Sequence, residues 1–430
     1  MAYSYFDEKL PHIIIIGSGF AGLELVKGLG NKPCRVTLFD RNNYFTFQPM
    51  LYQVAAGGIG PDGIAYPLRK VVSRYPNVVF RMADVLEVIT KENKVITSIG
   101  DFTYDHLVIA IGAQTNFFGN KQLEHHTLQL KSVTDALQLR SSILLSFEKA
   151  LTAHTHEEQK RLLTFVVVGG GPTGVETAGA LAEMKKHVLP ADYKELDAGM
   201  MQVYLVEASN RLLSAMSEES SAAVLKFLTG MEVKVLLNTM VESYDGKDLY
   251  LKNHPIIESE TVVWAAGVKA NYLEGFQDEV LGRSGRFLVD AHCLVKGLKN
   301  VYALGDVALM EGDPKFPGGH AMIATPAQQQ AKHLAKNFVS SFKGKAVLPF
   351  RYSDPGTMAT VGRHKAVMEI FGTKTSGLFA WLGWMFLHLM LLVGFRNRVV
   401  VFVHWMWNYI SYDRAIRLIT RPVEKTIQEK

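Results

Sequence analysis

The sequence predicts an α/β protein built on two Rossmann-like units and closed by an apolar, basic C-terminal module. Three observations predict it. A glycine turn between an apolar strand and a helix occurs at Gly17, Gly19 and Gly22. The same turn recurs at Gly169, Gly171 and Gly174, about 150 positions later. Residues 376–395 then form an apolar run with no formal charge, followed by a basic tail.

In the first unit, Ile13 to Ile16 are an apolar, β-branched run bounded by glycine, as in a buried parallel strand. In the G-x-G-x-x-G pattern the first glycine permits the tight turn. The second lets the backbone approach a pyrophosphate, and the third lets the helix pack close to the strand. Residues 23–29 carry that helix, with a stop at Asn31. The next strand, residues 35–39, ends at Asp40, where an acid binds a ribose hydroxyl pair. Residues 44–58, YFTFQPMLYQVAAGG, read either as a packed loop or as a wall against an isoalloxazine ring. Residues 107–112 are another buried strand. Residues 121–156 are polar, with helix period over 135–151, and link the units. His125, His126, His154 and His156 read as exposed, since no Cys, Asp or Glu completes a metal-ligand spacing around them.

The second unit repeats the theme. Residues 165–168 are Phe-Val-Val-Val, and Pro172 stands where the helix begins and its missing N–H costs least. Free N–H groups there would hold phosphates. The strand at 201–206 ends in Glu207, with a helical insertion expected over 184–200. Residues 262–268, VVWAAGV, close on small residues where a cofactor could approach. Residues 300–308, NVYALGDVA, form a strand ending in Gly305-Asp306, an acid placed for a ribityl or ribose hydroxyl. A turn into a helix is expected over 320–337 and a β-hairpin over 350–367. Two such units imply two dinucleotides, or one cofactor in two halves. A redox enzyme passing electrons from a nicotinamide to a flavin needs two such sites.

The 430 residues carry 46 Lys/Arg against 41 Asp/Glu, too mild an excess to suggest nucleic acid. From Met390 onward seven Lys/Arg face three acids, which suggests an anionic membrane surface. The two cysteines, Cys34 and Cys293, build neither a disulfide framework nor a zinc site, and a reducing compartment is expected. No signal-peptide pattern precedes Ile13. Twenty apolar residues can span a bilayer. Against a span stand His388, Gly383 and Gly394; Trp381 and Trp384 sit where interfacial anchors belong. A span, interfacial helices and a buried core helix all remain open on composition.

These motifs jointly resemble the type II NADH:quinone oxidoreductases, single-subunit and non-proton-pumping NADH dehydrogenases. The resemblance runs over essentially the whole chain. It rests on GSGFAG at 17–22, FQPMLYQVAAG at 47–57, VIAIGAQTNFFG at 108–119, VVGGGPTGVETAGAL at 167–181, WAAGV at 264–268, YALGDVA at 302–308 and GFRNR at 394–398. It implies two Rossmann-like dinucleotide-binding domains, the NADH domain (121–280) inserted into the FAD domain (1–120 and 281–345). A C-terminal hairpin and membrane-binding helical module (346–430) follows, lying on the membrane. FAD would contact Gly17, Gly19, Phe20, Ala21, Gly22, Asp40, Arg41, Gln48, Pro49, Ala110, Gly112, Gly305 and Asp306. NADH would contact Gly169, Gly171, Pro172, Thr173, Gly174, Glu176, Glu207, Ala266 and Gly267. Glu176 reads by itself as a first-turn acid stabilised by the helix dipole. The resemblance instead places Glu176 and Gln329 as catalytic residues where nicotinamide and quinone meet.

The family's quinone-site helix usually reads A-Q-x-A-x-Q. Residues 324–329 read Ala-Thr-Pro-Ala-Gln-Gln, so Thr325 replaces the first glutamine, with shorter reach, and Gln329 keeps the second. Thr325, Gln328 and Gln329 are the expected quinone contacts. Trp381, Trp384, Arg396, Arg398, Trp405 and Trp407 are the expected membrane contacts. A homodimer on the cytoplasmic face of the cell inner membrane is expected, with no metal and no nucleic acid partner. Two rivals share parts of this plan. A sulfide:quinone oxidoreductase needs redox cysteines near the flavin. An NADH-sensing flavoprotein whose output is partner binding leaves the aromatic, basic tail without a role.

Overall fold

The computed structural model describes residues 4–411 and 416–420. Contacts divide the chain into two units. One comprises Met1–Thr46, Tyr66–Gln114 and Val268–Pro355; the other comprises Phe47–Ala65, Thr115–Gly267 and Gly356–Lys430. This division differs from the expected one at both ends. The C-terminal module is not a separate body but clusters with the second unit, and so do residues 47–65.

In chain order the first unit opens with β1 (His12–Ile16), α1 (Phe20–Leu29), β2 (Arg35–Asp40), β3 (Val78–Met82) and β4 (His106–Ile109). The second unit contributes α2 (Val133–Leu151), β5 (Thr164–Val168), α3 (Pro172–Glu183), β6 (Gln202–Val206), α4 (Glu218–Thr229), β7 (Val233–Leu236) and β8 (Thr261–Trp264). The first unit resumes with β9 (Val301–Ala303) and α5 (Ala324–Ser341). The second closes the chain with β10 (Thr357–Gly362), β11 (Lys365–Ile370), β12 (Thr373–Ser376), α6 (Leu378–Leu391) and α7 (Phe395–Ser411).

The first unit's main sheet has the order β9-β4-β1-β2-β3, all parallel. Every residue of β1 is buried, as a strand covered on both faces requires. The second unit's parallel sheet has the order β7-β6-β5-β8, and β5 is likewise buried throughout. In each, the glycine turn follows a central strand, and the terminal acid follows the adjacent strand. Open parallel sheets bind ligands at that edge. Strands β10, β11 and β12 form an antiparallel meander, one strand more than the expected hairpin.

The apolar run at 376–395 is not one helix. Helix α6 ends at Leu391, and α7 starts at Phe395 after Gly394, whose φ of +89° suits glycine. Asn397 fixes the break, donating from Nδ2 to the carbonyls of Asp62, Gly63 and Ala65 at 3.0–3.1 Å. Among the described residues no helix is long and apolar enough to cross a membrane. The expected insertion at 184–200 is a π-helical turn at Met184–Val188, the short helix Leu189–Asp192 and a 3-10 turn at Ala198–Met200.

Candidate functional site

In the first unit the turn after β1 is built as the glycine pattern requires. Gly17 has φ +96°, and a Cβ on Gly22 would lie 1.9 Å from the Gly17 carbonyl oxygen. Gly19 faces open space, and no side chain caps the start of α1, where Phe20 and Ala21 stand. That leaves a cradle open to a phosphate. Asp40, ending β2, accepts from Ser18 N and Oγ at 2.7 and 2.6 Å and from Asn42 N at 2.7 Å. Arg41 beside it is exposed, 3.7 Å from Asp84. Ala110 follows β4, and Gly112 has φ +69°. Gly305 and Asp306 form a 3-10 turn after β9. Gln48 and Pro49, expected with these residues, stand in a 3-10 turn of the second unit.

Gln330 was not singled out by sequence reasoning. It is buried on α5, and its Oε1 accepts the Gly305 N–H at 2.7 Å, fixing the turn that carries Asp306. The helix period held the signal, because Gln330 falls on the stripe of Ala327, Ala331 and Leu334. Its neighbours do other work. Gln329 donates to the Ser353 carbonyl at 2.7 Å and accepts the Ser353 N–H at 3.1 Å. Thr325 Oγ1 lies 2.8 Å from Tyr352 Oη. Gln328 is half-buried. The amide of Gln329 and hydroxyl of Thr325 therefore tie α5 to residues 352–353 within the first unit.

In the second unit the turn after β5 repeats this geometry. Gly169 has φ +111°, and a Cβ on Gly174 would lie 1.8 Å from the Gly169 carbonyl oxygen. Gly171 faces open space, with Pro172 and Thr173 exposed at the start of α3. Glu207 follows β6 and accepts from the Gly170 N–H and from Ser209 N at 2.7 Å. Ala266 and Gly267 follow β8, and Gly267 is exposed.

Glu176 lies beyond the first turn of α3, which holds no acid, so the helix-dipole reading is corrected. It is buried, and burial pushes its carboxyl up to about 8. The Thr360 N–H, 3.5 Å from Oε1, and the Trp384 indole pull the other way, and burial outweighs them. Trp384 Nε1 is buried and makes no hydrogen bond of ordinary geometry. The Trp384 ring stacks on His388 at 3.9 Å and 18°. Tyr52 meets Trp384 edge-on at 6.3 Å, and Phe47 lies 6.0 Å from His388. His388 Nδ1 donates to the Trp384 carbonyl at 2.8 Å, and burial pushes the imidazole down to about 4, so it stays neutral.

The expected membrane contacts divide. Trp384 and Trp405 are buried, which corrects their assignment to lipid: one packs against Tyr52 and His388, and the other donates to Gln53 Oε1 at 2.8 Å. Trp381 is half-buried, while Trp407 is 59% exposed. Arg396 is exposed, 3.5 Å from Asp62, and Arg398 donates to the Leu392 carbonyl at 3.0 Å. Arg414, Arg421, Lys425 and Lys430 lie outside the described residues. The four linker histidines are exposed, and no metal-binding group occurs among the described residues. Both cysteines are buried, and burial pushes Cys34 up to about 12 and Cys293 upward as well.

Two dinucleotide turns, each with a terminal acid, and cysteines buried away from both fit a dinucleotide-dependent oxidoreductase that does not use a redox disulfide. The pyridine nucleotide-disulphide oxidoreductase family matches residues 11–331, and the NDH2 C-terminal domain matches residues 355–411. The chain belongs to the type II NADH:quinone oxidoreductases. It is 36% identical over 421 residues to NdhA of Mycobacterium tuberculosis, a type II NADH:quinone oxidoreductase, covering 95% of this chain and 89% of that one. It is 31% identical to the Haemophilus influenzae type II NADH:quinone oxidoreductase, covering 83% and 86%. The fold matches NDH2 of Plasmodium falciparum, solved with NADH, with a TM-score of 0.87 at 21% identity, covering 96% of this chain and all of that one. It also matches the Aquifex aeolicus sulfide:quinone oxidoreductase, with a TM-score of 0.69 at 18% identity, covering 96% of each. The protein is an NADH:quinone oxidoreductase that works with NADH and a flavin and does not pump protons.

Proposed function

We propose that the flavin is FAD, cradled by the turn at Gly17–Gly22, with Asp40 taking ribose hydroxyls and Asp306 the ribityl chain. A bound flavin supplies the two-electron acceptor for the hydride of NADH and the donor for the quinone. The turn at Gly169–Gly174 takes the NADH pyrophosphate, and Glu207 takes the adenosine ribose by exchanging its present partners, Gly170 and Ser209, for the two hydroxyls. Glu176 holds a proton near neutral pH beside the Trp384–His388 stack. Reduction of a quinone by NADH consumes one proton beyond the hydride, and Glu176 is the residue suited to hold it. Gln329 and Thr325 act by holding residues 352–353 in place.

The protein acts as a homodimer on the cytoplasmic face of the cell inner membrane, with the exposed faces of α6 and α7 in the lipid surface. Phe379, Phe386, Phe395, Phe402 and Trp407 support that reading. The observation that carries the whole proposal is the pairing of two phosphate cradles with the buried Glu176 carboxyl. NADH oxidation by the detergent-purified protein, with menaquinone and ubiquinone analogues and with sulfide as rival donor, tests it. A chain that oxidises sulfide and ignores NADH overturns it. NADH is expected to exceed NADPH at least roughly a hundredfold in kcat/KM, because Glu207 repels a 2′-phosphate. Equal values would remove Glu207 from the ribose.

A further inference from the structure

The second unit contains a cavity of ≈ 710 Å³ to which the reading above assigns no occupant. One wall is cationic. Lys185 and Lys186 reach it from the π-helical turn that continues α3, and Arg363 and Lys365 from the β10–β11 turn. Two acids also line it, and both are committed. Glu183 accepts the Arg363 backbone N–H at 2.7 Å, and Glu232 pairs with Lys185 at 2.6 Å. Four aromatic rings line it as well, Trp381, Trp384, Trp405 and Tyr409. The two sets touch where the Arg363 guanidinium lies 3.8 Å over the Tyr409 ring.

The π turn is a second sign of use. Lys185, Lys186 and His187 are consecutive and line the same cavity. Single π turns inside helices occur frequently at functional sites. Helices α6 and α7, which carry those four rings, also expose Phe386, Phe402 and Ile410. An occupant that matches all of this has an anionic head for the cations and a long apolar body for the helices. Free phosphate meets only the first demand, and an acidic peptide leaves the apolar faces bare.

We propose that this cavity seats the phosphate-bearing headgroup of one anionic glycerophospholipid, its acyl chains running out along α6 and α7. The proposal rests on the lipid-surface reading of those helices and adds a specific seat to it. Four cations against two acids leave an excess of two positive charges that supplies the charge complementarity, and the indole and phenol rings suit the boundary between headgroup and chain.

The test uses the full chain in non-ionic detergent, with native mass spectrometry after addition of phosphatidylglycerol or phosphatidylcholine. The wild type is expected to retain one phosphatidylglycerol and to release phosphatidylcholine. K186E/K365E is expected to lower that retention at least roughly tenfold, since each near-surface cation contributes about a fivefold attraction. K160E/K252E makes the same charge change at exposed lysines outside the cavity and is expected to retain the lipid. K186Q/K365Q gives an intermediate loss and serves if the charge reversal fails to fold. Turnover with a water-soluble quinone stays unchanged in all of them. Equal loss in K160E/K252E, equal retention of phosphatidylcholine, or displacement of the lipid by millimolar inorganic phosphate overturns the proposal. Sedimentation with phosphatidylglycerol vesicles reports separately on the lipid surface. Failure there with one lipid still held in detergent removes the surface reading and leaves the seat.

Discussion

The Glu176 carboxyl is held against Thr360 and Trp384, and the shift of its titration to about 8 is the work of burial. In the unfolded chain the same group titrates at 4.5. It therefore binds its proton more tightly when folded, and its contribution to stability is complete below 4.5 and is lost as pH rises through about 8. Glu176→Gln keeps the shape and removes the titration. The wild type's melting temperature is expected to fall relative to the variant across that window, measured by thermal melting in matched buffers. A constant difference would mean that the carboxyl is already ionised at neutral pH. The cysteines give the opposite case, two buried thiols with no charge partner to activate them. Cys34→Ala and Cys293→Ala are expected to keep NADH:quinone turnover within about twofold, since neither thiolate forms near neutral pH. Loss of turnover in either would point to thiol chemistry. Glu176 was legible as a site residue because it falls inside a long motif. Trp384 was legible only as an aromatic, and which way it faces depends on Tyr52, more than three hundred positions away.

Helix α3 and strand β10 meet backbone to backbone at Gly179. A Cβ there would lie 1.6 Å from the Val361 carbonyl oxygen, so glycine is what lets the C-terminal meander lie on the nicotinamide unit. The same helix face carries Glu176 toward Thr360 and Glu183 toward Arg363. Gly179→Ala must push β10 away, and overpacking of this kind costs about 1–3 kcal/mol. It is expected to lower the first thermal transition and to admit water around Glu176, bringing its titration back toward the ordinary carboxylate range. A variant that melts with the wild type would mean that the two elements separate freely. Most elements were legible, because β-branched runs bounded by glycine leave little choice but a buried strand. The break at 392–394 was legible only in part, since Gly394 stood against one continuous helix but did not mark where the first helix ends. An unbroken apolar run gives no period to mark where a helix stops, and the stop depends on Asn397 reaching carbonyls that the sequence keeps far away.

At the scale of the whole chain the question is which side of the membrane the tail occupies. Helices α6 and α7 have 14 and 17 residues, so they are about 21 and 26 Å long at ~1.5 Å per residue, short of a ~30 Å hydrocarbon core. Each has its own buried stripe on the second unit, Ala380 and Trp384 in one and Asn397, Val401 and Trp405 in the other. The chain then returns to that unit. Arg417 pairs with Asp192 at 2.9 Å, and Thr420 N donates to Ser141 Oγ at 3.1 Å. Asp192 and Ser141 belong to the unit that carries the Gly169 turn, so residues 416–420 lie on the nicotinamide side. Arg417 is thereby committed to protein rather than to lipid. A spanning helix would instead send this segment across the bilayer, with its cations on the trans side against the positive-inside tendency. The expectation is tested with a cysteine introduced at Lys430, in membrane vesicles whose NADH-reactive face is outward. Both native thiols are buried, so the introduced one dominates the signal. An impermeant maleimide is expected to label it from the face that oxidises added NADH. Labelling only after the vesicles are opened would put the tail across the membrane and refute the interfacial reading.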